Sequence, residues 1–255
     1  MIISRTPLRV SLFGGGTDFP QFYEKHGGAV LSTAIDKYIY VIVKKRFDDK
    51  IVLHYTKTEV CDSVDEIQHD YIREALRRMT PHNGIEITTL ADIPSEGTGL
   101  GSSSSLAVGL IFALSNYAYK KEGRLILDTK TELAEWACNL EIDILEKPIG
   151  LQDQYIAAYG GFRYMTFDYR GVHVLTGHEN KLVNRFSKQQ ETINKLESRL
   201  LLFYTGITRQ ASDILEKQVE NIVTMRLVLK YLAYQAAESQ RLLETGNVET
   251  IGYYL

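Results

Sequence analysis

The stretch Pro94 to Ser105, PSEGTGLGSSSS, constrains this chain more than any other, because three spaced glycines run into serines and then into an apolar helix. Gly97, Gly99 and Gly101 can adopt positive φ, which turns successive backbone N–H groups onto one concave, anion-binding face. From Leu106 the apolar residues recur at Leu106, Leu110, Ala113, Leu114 and Tyr117. That helical stripe places Ser102, Ser103 and Ser104 at the N-cap and in the first turn. The unpaired N–H groups there favour a phosphate, and the helix macrodipole adds ~0.3–1 kcal/mol for an anion. The candidate phosphate-binding set is therefore Gly97, Gly99, Leu100, Gly101, Ser102, Ser103 and Ser104. The rival reading is a Gly/Ser-rich surface loop before an ordinary capped helix. No GK[ST] follows the glycines, so this is not a Walker loop, and no clear strand precedes them as a dinucleotide fingerprint requires.

Two further segments carry chemistry. RTPLRVSLFGGGTD, from Arg5, reads as an alternating strand and a triple-glycine turn ending in Thr17 and Asp18. KPIGLQDQYIAAYGGF, from Lys147, sets Asp153 between two glutamines ahead of a small-residue run that closes on Gly160 and Gly161. With the Pro94–Ser105 loop these make three motifs in one order. The chain thereby resembles the GHMP kinases, the galactokinase, homoserine kinase, mevalonate kinase and phosphomevalonate kinase superfamily. Its GGGTD, where galactokinases have GEHTD, resembles the branch of the heptose phosphate kinases and fucokinase-like enzymes, closest to the D-glycero-D-manno-heptose 7-phosphate kinases.

The resemblance implies an α+β GHMP kinase fold of two domains, the N-terminal one over residues 1–180 and a partial C-terminal one over 181–255. It implies transfer of the γ-phosphoryl of ATP to a sugar hydroxyl, here the anomeric hydroxyl of a heptose 7-phosphate. Asp153 matches the catalytic aspartate, which accepts or orients the proton of the attacking hydroxyl; a positioned base contributes ~10²–10⁴-fold. Arg9 stands where the family carries a lysine or arginine beside that aspartate, a fixed charge for the transferring phosphoryl. Gly15, Gly16, Thr17 and Asp18 match the sugar-binding turn. Mg²⁺ needs few protein ligands, and the motif alignment gives Ser103 and Glu141, with Ser102 and Ser104 as adjacent alternatives and Asp143 as the competing carboxylate.

Two departures stand out. The heptose kinase branch commonly has a lysine immediately before QDQ, and here that residue is Leu151. The third family motif, a second glycine-rich loop near the C-terminus, has no counterpart before Leu255, so the second domain is expected to be truncated, with an exposed edge that invites association such as a homodimer. The rivals are another sugar 1-kinase of the branch and a non-catalytic sugar or nucleotide binder.

Composition bounds the remaining classes. At 255 residues and 44% hydrophobic content the chain can bury a real core. A net charge of −3 with interspersed signs gives no basic field for nucleic acid. Cys61 and Cys138 lie far apart without metal or disulfide spacing, which fits a reduced cytoplasm. No signal peptide or membrane span is expected. Strands are expected over Leu8–Phe13, Ala29–Ile35, Tyr38–Lys44, Gly84–Leu90 and Gly160–Asp168. Helices are expected over Asp65–Met79, from a Thr129/Glu132 capping box through Ile144, from Ser212, and from about Met225 to Thr245, with a strand in RLLLFYTG.

Overall fold

A computed structural model describes residues 1–79, 83–93, 98–122, 127–175, 191–203 and 221–254. They form an α+β arrangement of two compact units that interleave along the sequence. One comprises Met1–Arg9, Ile35–Ile149 and Asp153–Tyr159; the other comprises Val10–Ala34, Gly150–Gln152 and Gly160–Leu255. The boundary expected at 180/181 lies outside the described residues. Strands β1 (Ile2–Phe13) and β2 (Gly28–Lys45) are long enough to take part in both units, and they pair with each other. The two runs expected over 29–44 are thus one strand, continued through exposed Asp36 and Lys37.

In the first unit, β3 (Ile51–His54) and β4 (Thr58–Cys61) form an antiparallel hairpin. The first strand of the hairpin runs parallel to β5 (Ile85–Ala91), which pairs antiparallel with the second half of β2. Alternation is strict on β2, where Ile39, Val41 and Val43 are buried and Tyr40, Ile42 and Lys44 are not. The apolar face packs with α2 (Asp70–Arg78), α3 (Ser102–Glu122) and α4 (Lys130–Cys138) through Ile72, Leu76, Leu110, Leu114 and Leu133. Burying each of these aliphatic side chains contributes roughly 1.5–3 kcal/mol.

Helix α3 and the loop that leads into it are fastened along β1 at three points. Ser4 Oγ donates to the Gly109 carbonyl at 2.8 Å, Ser105 Oγ to the Pro7 carbonyl at 2.8 Å, and the Arg9 N–H to the Leu100 carbonyl at 3.0 Å. Gly109 allows this approach, since a Cβ there would lie 2.7 Å from Thr6 Oγ1. The glycine loop is thereby fixed against Arg9. The capping box of α4 is present: Thr129 Oγ1 accepts the Glu132 N–H, and the Glu132 carboxylate accepts the Thr129 N–H, both at 3.1 Å.

One expected helix is broken. Val64–Glu66 forms a single 3₁₀ turn, and α2 begins only at Asp70. The Glu59 carboxylate accepts the N–H groups of Gln68 at 2.7 Å and His69 at 3.2 Å, which removes them from any helical ladder.

In the second unit the first half of β2 pairs antiparallel with β6 (Phe162–Asp168), which pairs with β7 (Gly171–Leu175). Helix α1 (Pro20–His26) follows the triple-glycine turn, and α5 (Gln152–Tyr159), shared between the units, precedes β6. After a helical stretch at 191–197 come α6 (Arg226–Thr245) and α7 (Val248–Ile251). Phe13, Leu31, Leu196, Ala236, Leu243 and Ile251 form this unit's core. Residues 200–203 form no strand, and the rest of that expected strand, with the helix expected from Ser212, lies outside the described residues. No described helix is long and apolar enough to cross a membrane.

Candidate active site

Asp153 lies in the first turn of α5 rather than in a loop, and Arg9 grips it through both terminal oxygens. Arg9 Nε donates to Oδ1 at 2.6 Å and Nη2 to Oδ2 at 2.5 Å, with both side chains largely buried. The remaining arm, Nη1, donates to the Gly99 carbonyl at 2.6 Å. One guanidinium therefore holds the aspartate and the glycine loop together, a fork geometry unavailable to lysine. Gly99 and Gly101 adopt φ of +69° and +74°. A Cβ on Gly101 would sit 3.2 Å from Arg9 Cγ and 3.3 Å from Asp153 Oδ2, so the loop presses its bare backbone on the ion pair. Gly97 lies outside the described residues. Leu100 supplies its carbonyl to Arg9, as above, and Ser102 opens α3.

The serines are sorted by helix rotation. Ser103 is exposed and its hydroxyl lies on the Tyr71 side, lowering that phenol's pKa, whereas Ser104 is 1% exposed and its hydroxyl favours the charged form of Glu141. One residue turns a side chain by about 100° around the helix axis, which sets Ser104 on the buried side near the Glu141 carboxylate and Ser103 on the exposed side.

Glu141 is fully buried. It sits in a π-helical turn, Asn139–Ile144, that continues α4 and ends with the Leu145 N–H bonded to the Leu140 carbonyl at 3.1 Å. Such wide turns re-aim side chains and recur at functional sites. The following Glu146 has φ of +50°, unlike every other non-glycine residue described. Tyr71 Oη donates to Glu141 Oε1 at 2.9 Å and Gln154 Nε2 to Oε2 at 2.6 Å. Burial pushes the Glu141 carboxyl up to about 7, against the pull of the Ser104, Tyr71 and Gln154 donors, and the charge of Asp153 adds to the rise. Burial, then the charge of Glu141, raises the Tyr71 hydroxyl well above the usual tyrosine range. Neither Tyr71 nor Gln154 was marked by motif as a site residue: helical periodicity puts Tyr71 on an apolar face, and Gln154 is only a flank of Asp153.

The main influences on Glu141 are three neutral donors and one like charge. Among the described residues the side chains bonded to this buried carboxylate are the neutral Tyr71 and Gln154, and with the serine hydroxyls it forms a set of hard oxygen donors. These features fit Mg²⁺, which takes one or two protein carboxylates together with substrate phosphates.

The glycine turn belongs to the second unit. Thr17 N–H closes it onto the Gly14 carbonyl at 3.0 Å, and a Cβ on Gly14 would overlap the Ala29 carbonyl at 1.9 Å. Thr17 is fully buried, and its hydroxyl both donates to the Ala29 carbonyl at 3.0 Å and accepts the Ala29 N–H at 3.1 Å. The hydroxyl thereby pins the turn to β2. Asp18, 1% exposed, accepts the N–H of Gly16 at 3.0 Å and that of Gln152 at 3.1 Å. It therefore holds the N-terminus of α5 one residue before Asp153. Gly150 leaves room for it, since a Cβ there would fall 2.0 Å from Asp18 Oδ2. Gly15 lies beside Ser11 Oγ and Gln152 Nε2, its absent Cβ 3.4 and 3.8 Å from them.

Residues 69–161 match the family of GHMP kinases N terminal domain. The chain is 34% identical over 229 residues, 84% of its length, to a D-glycero-alpha-D-manno-heptose 7-phosphate kinase of Campylobacter jejuni, and it spans 62% of that relative. It is 28% identical over 259 residues to an L-fucokinase/L-fucose-1-P guanylyltransferase of Bacteroides fragilis, covering 87% of this chain and 26% of that one. Among solved structures, a D-glycero-D-manno-heptose 1-phosphate kinase of Bacteroides thetaiotaomicron superposes with a TM-score of 0.76 at 25% identity, over 97% of this chain and 74% of the other.

Proposed function

We propose that this chain, which carries the GHMP kinase fold and whose residues 69–161 match the GHMP kinases N terminal domain, is an ATP-dependent sugar kinase acting on the anomeric hydroxyl of a heptose 7-phosphate. The observation that carries the reading is the Arg9–Asp153 fork clamped under Gly99 and Gly101 at the mouth of α3. Phosphoryl transfer demands alignment and charge rather than covalent chemistry from the protein. Each Asp153 oxygen keeps a lone pair beyond those taken by Arg9, so the carboxylate accepts the proton of the attacking hydroxyl while Arg9 stays at hand for the transferring oxygens. The first turn of α3 and the glycine loop receive the nucleotide phosphates on backbone N–H groups. Ser104 and Glu141, with Ser103 adjacent, would hold Mg²⁺, whose chemistry when bound is to neutralise phosphate charge. Asp18, Gly15 and Gly16 shape the sugar end, through Asp18's hold on the start of α5.

Heptose 7-phosphate as acceptor is supported by the GGGTD turn and by the Campylobacter relative. The Bacteroides structure supports a second reading, the same sugar phosphorylated at its other end. The deciding experiment incubates the purified chain with Mg-ATP and heptose 7-phosphate, heptose 1-phosphate, fucose, mannose or galactose, with the product followed by mass and its phosphate position by phosphorus NMR. Turnover of heptose 7-phosphate to a 1,7-bisphosphate, lowered at least about 10²-fold by Asp153→Asn, is the expected result. The same product from heptose 1-phosphate alone shifts the acceptor to the distal hydroxyl, and ADP formation with none of the sugars overturns the kinase reading.

A further inference from the structure

We propose that Tyr71 is a positioning residue for the divalent cation, acting through Glu141; the inference rests on the kinase reading above. Tyr71 comes from α2, which carries none of the family motifs. Its hydroxyl donates to Glu141 Oε1 at 2.9 Å, and Ser103 in the first turn of α3 lies close enough to favour its ionised form. That oxygen thereby joins α2 to the π-helical turn that supplies the carboxylate, beside the start of α3. The other carboxylate oxygen is held by Gln154 Nε2 at 2.6 Å, and Gln154 is itself fully buried. Glu141 is thus oriented from both sides, by α2 and by the helix that bears Asp153.

The Tyr71 ring is also fixed in place. It is 9% exposed, meets His69 edge-on with centroids 6.2 Å apart, and lies under Lys147 Nζ at 5.7 Å. Lys147 is anchored in turn by Asp70 Oδ2 at 3.1 Å, and its N–H donates to the Glu141 carbonyl at 2.9 Å. The segment after the π-helical turn therefore closes back on the same tyrosine. A carboxylate ligand that has lost an orienting donor typically binds its metal 10–100-fold more weakly. Tyr71→Phe removes that donor and preserves the buried ring.

The test is a coupling measurement that needs no turnover. The affinity of the chain for a non-hydrolysable ATP analogue is measured by calorimetry with EDTA and with saturating Mg²⁺, and the ratio is the enhancement by the cation. Tyr71→Phe should reduce that enhancement about 10-fold and leave the affinity in EDTA within about twofold. Glu141→Gln should abolish it, and Tyr71→Phe should then have no further effect in the Glu141→Gln background, because one residue acts through the other. An enhancement unchanged in Tyr71→Phe overturns the proposal, as does a retained enhancement in Glu141→Gln or an equal loss of affinity with and without Mg²⁺. A wild-type chain that binds the nucleotide with Mg²⁺-dependent enhancement but phosphorylates no sugar would sink the kinase reading alone; one that binds no nucleotide would sink both.

Discussion

Replacing Glu141 by Gln should stabilise the metal-free chain, and do so only above mildly acidic pH. The Glu141 carboxyl is raised from 4.5 to about 7 by burial. At 1.36 kcal/mol per unit, that rise corresponds to about 3 kcal/mol. The folded chain holds this proton up to about pH 7, whereas the unfolded chain releases it near 4.5. Between those values the folded state binds more protons, so this group's contribution is fully present below pH 4.5 and is lost as pH rises through 7. Gln removes the titration while keeping the shape. Its amide can be met by Gln154, whose Oε1 has no hydrogen-bond partner among the described residues and can turn toward it. In EDTA, the melting temperature of Glu141→Gln minus that of the wild type should therefore grow between pH 5 and pH 8 by about 5–10 °C, from roughly 2–4 °C per kcal/mol for a chain of this size. Thermal unfolding at four pH values decides it. A difference that stays flat, or narrows with rising pH, would mean that Glu141 is charged in the folded chain and that its donors outweigh its burial.

Substitutions at three other positions test the geometry of the site. Arg9→Lys keeps the charge and loses the fork to Asp153 and the bond to Gly99, so kcat should fall about 10-fold, against about 10²–10³-fold for Arg9→Met; equal rates for Lys and Arg would show that charge alone suffices. Thr17→Val leaves the Ala29 N–H and carbonyl unpaired in the interior and should cost about 1–3 kcal/mol in urea unfolding, with the sugar KM unchanged at temperatures where the variant is folded. A raised KM without lost stability would instead make Thr17 a sugar ligand. Gly150→Ala drives a methyl into Asp18 Oδ2 and should destabilise by about 1–3 kcal/mol while raising the sugar KM; a variant with wild-type KM would detach Asp18 from the acceptor site.

What the sequence makes legible here is whatever is local. The Thr129/Glu132 capping box, the strand before the glycine turn, the positive φ of Gly99 and Gly101 and the serines at the start of α3 each depend on residues within a few positions of one another. What it hides depends on partners far along the chain. The helix expected from Asp65 fails because Glu59 takes two of its amides, and no helical period contains that information. The β3–β4 hairpin is missed because its strands are only four residues long and β3 also relies on parallel pairing with β5, some thirty residues away. Thr17 and Asp18 share one motif, yet only the fold shows that the threonine faces β2 and the aspartate faces the start of α5.

The same logic explains why the carboxylate site was only half visible. Glu141 could be reached by aligning a motif, but an α-helical reading of Leu133, Trp136, Leu140 and Ile144 would continue a regular helix through it. The π-helical turn widens that helix, and with the reach of Tyr71 and Gln154 it makes a buried carboxylate out of a residue that composition alone would leave in water. A helix interior that spends regular hydrogen bonding to hold an acid away from solvent needs a compensating use for it. Under the proposed function, the desolvated carboxylate, the serines at the start of α3 and the Arg9–Asp153 fork share one compact unit, and a phosphate-bound cation would supply the positive charge that none of the groups bonded to Glu141 brings.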